Sequence, residues 1–462
     1  MNTLGQCKQL WVLISYIFIL MPMGIVNAKD WSVPETLVDK VSALETDQQT
    51  FITSGDALKF LPERQLVHEI RSRDIPKLKV LINDIMAVAA QMTYDPAKDM
   101  GAIPLNTSNT DFYRSIVTPA PLRKMKREDG PFSVSRYMFP TSGISTFAGA
   151  KVAIYPEDLV AGNVDVAIIG IPSDMSSGRR NAEYAPRYMR AMKTIDTRDI
   201  QTLLDPMEVL SIVDYGDFQV DNMSGERSVD HIIKMVAETS STNAIPMMVG
   251  GDTSILYPAV KGIALNKGQK TFGLVHFSAH PDAERQIANT ISDTQTIFRL
   301  INEKIVDGND VVQIGLRGQS VDIDTLQWLR EQGVKYHTMA EINKRGISSV
   351  IKKVKKEITR GPDQIFVSID VSVIEPTQMI SAGRIASNGL TLKDVTEAIR
   401  YLCAAKDIVG FEITDMSPML DYSRLSAVNA NAVLNACLVG VAVREAGLKP
   451  DYVHPLALSH GN

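Results

Sequence analysis

From about residue 143 onward the chain alternates short apolar runs with amphipathic stretches, and this alternation constrains the fold more than any single motif. The apolar runs, rich in Val and Ile, fall at 164–171, 209–213, 245–249, 271–277, 310–316, 334–338, 364–371 and 408–413. Between them, 228–238, 255–264, 294–303, 323–331, 347–359 and 392–404 carry apolar residues at helical spacing. Near-continuous apolar strands separated by helices read as a parallel sheet covered on both faces. The expected fold is therefore α/β: a three-layer sandwich around a mainly parallel eight-stranded sheet. A closed eight-stranded β/α barrel is the alternative for the same pattern. The last apolar stretch, 426–445, must bury at least one face.

The region before 143 differs. Residues 1–28 combine Lys8, a strongly apolar run at 10–26 and the small residue Ala28. That is the pattern of a secretory signal peptide, with an uncleaved membrane anchor as the alternative. The expected location is exported (periplasmic or extracellular), or else membrane-anchored. Residues 29–142 read as an accessory extension of helices and loops. Amphipathic stretches lie at 36–44 and 77–92, a Pro-interrupted loop at 95–130, and the charged cluster at 123–129 reads as a solvated face. Residues 143–462 form the α/β domain. A net charge of −5 excludes a nucleic-acid binder that relies on a basic surface. Cys403 and Cys437 lie in apolar helical patterns, as two buried thiols or as a disulfide. Asn106 and Asn222 begin Asn-x-Ser/Thr sequences, which matter only in a glycosylating host.

In an open parallel sheet, ligands bind at the carboxyl ends of the strands. Polar residues collect at those ends: Asp174, Asp214 and Asp217, Gly250-Gly251-Asp252-Thr253, Ser278-Ala279-His280-Pro281-Asp282, Asp370-Val371-Ser372, and Glu412 with Asp415. His280 and Asp282, two apart, make a half-site for a divalent metal if the segment is extended. A capped strand end, with polar groups serving only the backbone, is the structural alternative.

The collinear order of these segments, over roughly residues 143–447, resembles the ureohydrolase family of arginases and agmatinases. Gly170-Ile171-Pro172-Ser173-Asp174, Asp214-Tyr215-Gly216-Asp217, Gly250-Gly251-Asp252-Thr253-Ser254, Phe277-Ser278-Ala279-His280-Pro281-Asp282 and Ser368-Ile369-Asp370-Val371-Ser372 carry the resemblance. It implies hydrolysis of a guanidinium group to urea plus an amine by a pair of Mn²⁺ ions that share an activated hydroxide. Carried over position by position, the metal ligands that survive are His280, Asp282 and Asp370. Thr253 stands at a histidine position, Ser278 at the aspartate that bridges both ions, and Ser372 at another aspartate. Asp415 aligns with a substrate-contacting glutamate. Thr294 falls at a proton-handling histidine, and Ser381-Ala382-Gly383-Arg384 replaces a Pro-Gly-Thr-Gly loop.

The expected protein is thus a ureohydrolase relative with a depleted site, holding at most one manganese or other divalent ion, or none. It serves in binding, regulation or structure. The alternative is an amidinohydrolase working with one metal on His280, Asp282 and Asp370, with His276, Glu284 or Glu412 compensating. In either case Asp415 and Asp282 are the candidate catalytic groups, and Asp415 and Glu412, with Asp174, the candidate contacts for a guanidino compound. The resemblance also implies a homo-oligomer, trimeric or hexameric, or a hetero-oligomer with an active homologue.

Overall fold

The computed structural model describes residues 31–61, 63–92, 129–132, 144–175, 181–192, 198–221, 224–285, 292–318, 322–359 and 362–458. The signal-peptide reading, most of the loop at 95–130 with its charged cluster, and both Asn-x-Ser/Thr sites lie outside them.

The strands are β1 (Lys151–Val152), β2 (Val166–Ile171), β3 (Ile212–Asp217), β4 (Ile245–Gly250), β5 (Gly273–Phe277), β6 (Val311–Leu316), β7 (Lys335–Thr338), β8 (Gln364–Asp370) and β9 (Asp407–Thr414). They form one sheet in the order β1-β3-β2-β4-β9-β8-β5-β6-β7, and every neighbouring pair is parallel. The sheet is open, with β1 and β7 at its edges, so the barrel alternative is wrong. Among the described residues it has nine strands rather than eight. The extra one, β1, is two residues long and too short to register as an apolar run. β3 also starts later than expected: Pro206–Val209 is a short helix, and the strand runs on through Asp214 to Asp217. Its polar residues read as a loop because their side chains, rather than their backbone, dominate the pattern.

Alternation sorts each strand's side chains onto two cores. On β2, Ile168 packs into one buried cluster and Ile169 into the other. Helices Leu392–Ala405 and Leu425–Glu445 cover the first face, and Gly225–Ser241 and Leu256–Lys267 the second. Leu425–Glu445 is apolar enough to cross a membrane, yet 83% of its most apolar window is buried within the protein, as befits a core helix. A disulfide joins Cys403 to Cys437 across the first layer, with Cα atoms 5.4 Å apart. Both sulfurs sit in helices packed side by side, and both residues are fully buried.

The N-terminal helices Thr46–Thr53, Glu63–Ser72 and Ile75–Met92 enclose a third core around Ile52, Leu66, Ile70, Leu78, Ile82 and Ile85. Residues 129–132 connect it to the sheet. Arg64 donates to the Asp129 carbonyl at 3.2 Å, and Phe132 pairs antiparallel with Val152 of β1.

Candidate functional site

The four central strands β4, β9, β8 and β5 bring their carboxyl ends together, and the loops leaving them supply the site. β4 ends in Gly250-Gly251, which lets the chain cross tightly between its neighbours. A Cβ on Gly251 would lie 1.5 Å from the Ser173 carbonyl oxygen, so no other residue fits. The Gly251 carbonyl then accepts from Asp415 N at 2.8 Å, fastening the end of β9 to the end of β4. Asp252 caps the following turn through Ser254, and Asp370 caps its own turn by accepting from Ser372 N at 2.8 Å. Asp282 and Asp415 both hold left-handed backbone, at φ 46° and 68°. Aspartate tolerates this conformation better than most residues, yet two such positions facing one centre mark a strained, over-determined site.

Into this centre reaches a side chain that sequence reasoning passed over. Arg384, only 9% exposed, donates from Nη1 to Asp282 Oδ1 at 2.7 Å. Its Nη2 reaches Thr253 Oγ1 at 2.9 Å, Asp282 Oδ2 at 3.2 Å and Asp370 Oδ2 at 3.3 Å. Nε lies 3.6 Å from Asp293 Oδ2. The guanidinium therefore grips one carboxylate with both arms and touches a second, the geometry in which arginine binds anions best.

The loop carrying Arg384 is firmly held. Gly383 N and Arg384 N donate to the Asp415 carbonyl and carboxylate at 2.8 and 2.9 Å, and Ser417 N donates to the Ser381 carbonyl at 2.7 Å. Arg317 ties the loop down from the other side, donating to the carbonyls of Gly315, Ser372, Val373, Ala386 and Ser387 at 2.6–3.3 Å.

The hydroxyl positions are equally engaged. Ser278 Oγ donates to Asp370 Oδ2 at 2.8 Å, while its own oxygen accepts from His280 N at 2.9 Å. Ser372 Oγ lies 3.4 Å from His280 Nδ1, and His280 stands 3.7 Å from Asp370 with a quarter of its side chain exposed. Among the described residues, no three His, Cys, Asp or Glu side chains are grouped so as to hold a metal ion.

Burial and the neighbouring Arg384, His276 and His280 divide the carboxylates into two sets. Burial alone would raise Asp282 and Asp370, but Arg384 and then His276 outweigh it at Asp282, and His280 and then Arg384 outweigh it at Asp370, so both are held below the ordinary carboxylate range. Asp415 is pushed well up by burial and by the neighbouring Asp370 charge, and Asp252 is pushed up by burial to about 7. Among the described residues nothing donates to Asp252 Oδ2 or Asp415 Oδ1, so no hydrogen bond offsets the burial of these two atoms.

One alternation lower in the sheet, a polar row crosses four strands. Gln313 of β6, His276 of β5, Ser368 of β8 and Glu412 of β9 stand side by side in register, all fully buried. His276 Nδ1 meets Ser368 Oγ at 3.0 Å, Ser368 donates to Glu412 at 2.7 Å, and His276 Nε2 lies 3.5 Å below Asp282. Glu412 thus belongs to this lower row and does not reach the centre beside Asp415. Burial raises it to about 8.

Other expected residues go elsewhere. Asp214 and Asp217 are taken by Arg190, whose Nε and Nη2 hold Asp214 at 2.8 and 2.9 Å and whose Nη1 holds Asp217 at 2.6 Å. Their strand, β3, lies on the far side of β2 from the centre. Asp174 accepts from Asn181 N at 2.7 Å while its charge still helps raise Asp252, and Thr294 donates to Glu284 at 2.8 Å. A signal for Arg384 was present in the sequence as a basic residue in place of a small one in the 381–384 loop. Only the fold shows that the loop turns inward.

A model of the arginase family matches residues 164–440, a span that contains all four central strands. The chain is 27% identical over 278 residues to a formimidoylglutamase of Bacillus subtilis, covering 60% of this chain and 86% of that one. It is 27% identical over 307 residues to a guanidinobutyrase of Pseudomonas aeruginosa, covering 65% and 94%. Its fold superimposes on the proclavaminate amidinohydrolase of Streptomyces clavuligerus with a TM-score of 0.61 at 25% identity, covering 66% of this chain and 99% of that one.

Proposed function

The chain belongs to the arginase family, and we propose that it is a member without the family's binuclear manganese hydrolysis, serving in binding, regulation or structure. Relatives in the family typically depend on a divalent metal. The donor set here does not fit a pair of such ions. One observation supports the reading: Ser278, which the family resemblance aligns with the aspartate that bridges two ions, carries a neutral hydroxyl that donates to Asp370 at 2.8 Å. A neutral hydroxyl that donates a proton offsets none of the repulsion between two dications. Thr253 and Ser372, also neutral, add no charge. A one-metal site on His280, Asp282 and Asp370 would have to displace the guanidinium that now binds two of the three.

The ligand class this reading keeps is a guanidino compound bound without turnover, as the family resemblance suggests. The Cys403–Cys437 disulfide supports an oxidising compartment, in keeping with export by a signal peptide. The test is urea release by purified protein, supplied with Mn²⁺, from agmatine, arginine and 4-guanidinobutyrate. The expected result is no turnover above a buffer control. Release at enzyme-like rates from any of the three overturns the proposal.

A further inference from the structure

We infer that Arg384 is a tethered cation: its guanidinium takes over the charge-balancing role that a metal pair plays in a fold of this kind, so that the carboxylate cluster stays closed without any ion. This rests on the reading that the chain runs no binuclear metal hydrolysis, and extends it by naming what replaced the metal.

Three independent features point the same way. The first is position. Arg384 Nη1 and Nη2 contact Asp282 and Asp370, the two carboxylates that align with metal ligands, and Nη2 also contacts Thr253, which aligns with a third ligand. One group thus meets residues from the ends of β4, β5 and β8, over sequence separations of 131, 102 and 14 residues. The second is charge. Asp282 and Asp370 are both buried and both held in the ionised range, and burying two carboxylates side by side with no cation is prohibitive. The third is construction. A surface arginine that had merely fallen inward would hang from a loose loop. This one hangs from a loop pinned at Ser381, Gly383 and Arg384 to the 415–417 turn, and at Ala386 and Ser387 to Arg317. Arg317 acts as a positioning residue: it touches no carboxylate of the centre, but it holds the carbonyls of Ser372 and Val373 and those of Ala386 and Ser387 on one guanidinium.

Arg384 also explains why the hydroxyl replacements are compatible. Two of them, Thr253 and Ser278, fit a cationic organic group better than an ion. Thr253 accepts from the guanidinium, and Ser278 spends its proton on Asp370 beside it. A fixed positive charge at this point repels a dication and occupies its ligands at once.

The test compares full-length wild type with Arg384→Met, Arg384→Lys and the triple variant Arg384→Met/Asp282→Asn/Asp370→Asn. The readouts are the thermal midpoint, with and without Mn²⁺ or EDTA, and bound manganese per chain after dialysis. Wild type is expected to show the same midpoint in both conditions. Arg384→Met is expected to melt lower, to bind more Mn²⁺ than wild type and to regain part of its midpoint on adding it. Arg384→Lys should fall between the two. The triple variant, with cation and anions removed together, should melt above Arg384→Met; if Arg384→Met gives no folded protein, folding of the triple variant alone supports the inference. An Arg384→Met protein as stable as wild type, one that takes up no extra Mn²⁺, or a triple variant no more stable than Arg384→Met overturns it. These failures concern Arg384 alone. Urea release by wild type would instead strike the reading on which the inference rests.

Discussion

Replacing Asp282 by Asn removes one charge from the centre while nearly conserving volume. Asp282 is 2% exposed and takes both arms of the Arg384 guanidinium, at 2.7 and 3.2 Å. Breaking a buried ion pair by deleting one partner costs about 3–5 kcal/mol, because the other charge is left buried. Arg384 keeps Asp370 at 3.3 Å, so the loss falls at the low end, about 3 kcal/mol. At about 2.1 cal/mol/K of unfolding entropy per residue, each kcal/mol moves the melting midpoint of a 462-residue chain by roughly 1 °C, which gives a fall of about 3 °C. Asp56→Asn is the control. Its Lys59 partner is at the surface, with side chains 46% and 50% exposed, and its loss is worth under about 1 kcal/mol. Equilibrium urea denaturation at pH 7 measures both. Asp282 has a folded pKa below its ordinary 3.8, so its contribution is full above that value and disappears as the pH falls through the folded pKa. The gap between wild type and Asp282→Asn should therefore narrow in strong acid. A loss no larger than that of the Asp56→Asn control would refute the idea that this ion pair organises the site.

Glu412 predicts the opposite pH dependence. Its folded value of about 8 lies above the ordinary 4.5, so the folded protein holds a proton that the unfolded chain has released, and stability falls as the pH rises between them. Its share of that slope reaches at most about 1.4 kcal/mol per pH unit, and Glu412→Gln should make the slope shallower by that share in denaturation series from pH 5 to 8, leaving the part due to Asp252 and Asp415. The Cys403–Cys437 disulfide closes a loop of 34 residues, for which chain entropy gives roughly 4 kcal/mol. Cys403→Ala/Cys437→Ala should lose that much, and a loss under about 1 kcal/mol would show that the crosslink is not formed. Arg317→Met should raise amide exchange across residues 381–390 before it affects the rest of the sheet, read by hydrogen exchange and mass spectrometry. Uniform protection would deny it the positioning role.

The sheet was legible because buried parallel strands cannot hide: their apolar runs are continuous, and the polar residues that follow mark the carboxyl ends. What escaped were features whose signal is not periodic. β1 is two residues long, and β3 carries Asp214 and Asp217 within a strand because Arg190 neutralises them there. The candidate ligands Asp282 and Asp370 were legible from motif spacing, and the fold does bring them together. Asp415 joins them through its bond from Arg384 N, whereas Glu412, two residues before Thr414, points into the lower row with His276 and Ser368. Arg384 was the principal omission. Its partners Asp282 and Thr253 lie 102 and 131 residues away, and no local pattern says whether a loop arginine faces solvent or the centre. The cysteines were similarly undecidable, since helix packing alone sets the distance between their Cα atoms.

The central claim is that a guanidinium, and no ion, lies between Asp282 and Asp370. Crystals grown with Mn²⁺ and measured at the manganese absorption edge test it directly. The account predicts planar guanidinium density from Arg384 between the two carboxylates and no anomalous peak there. An anomalous peak within about 2.2 Å of Asp282 and Asp370, with Arg384 displaced, would contradict it.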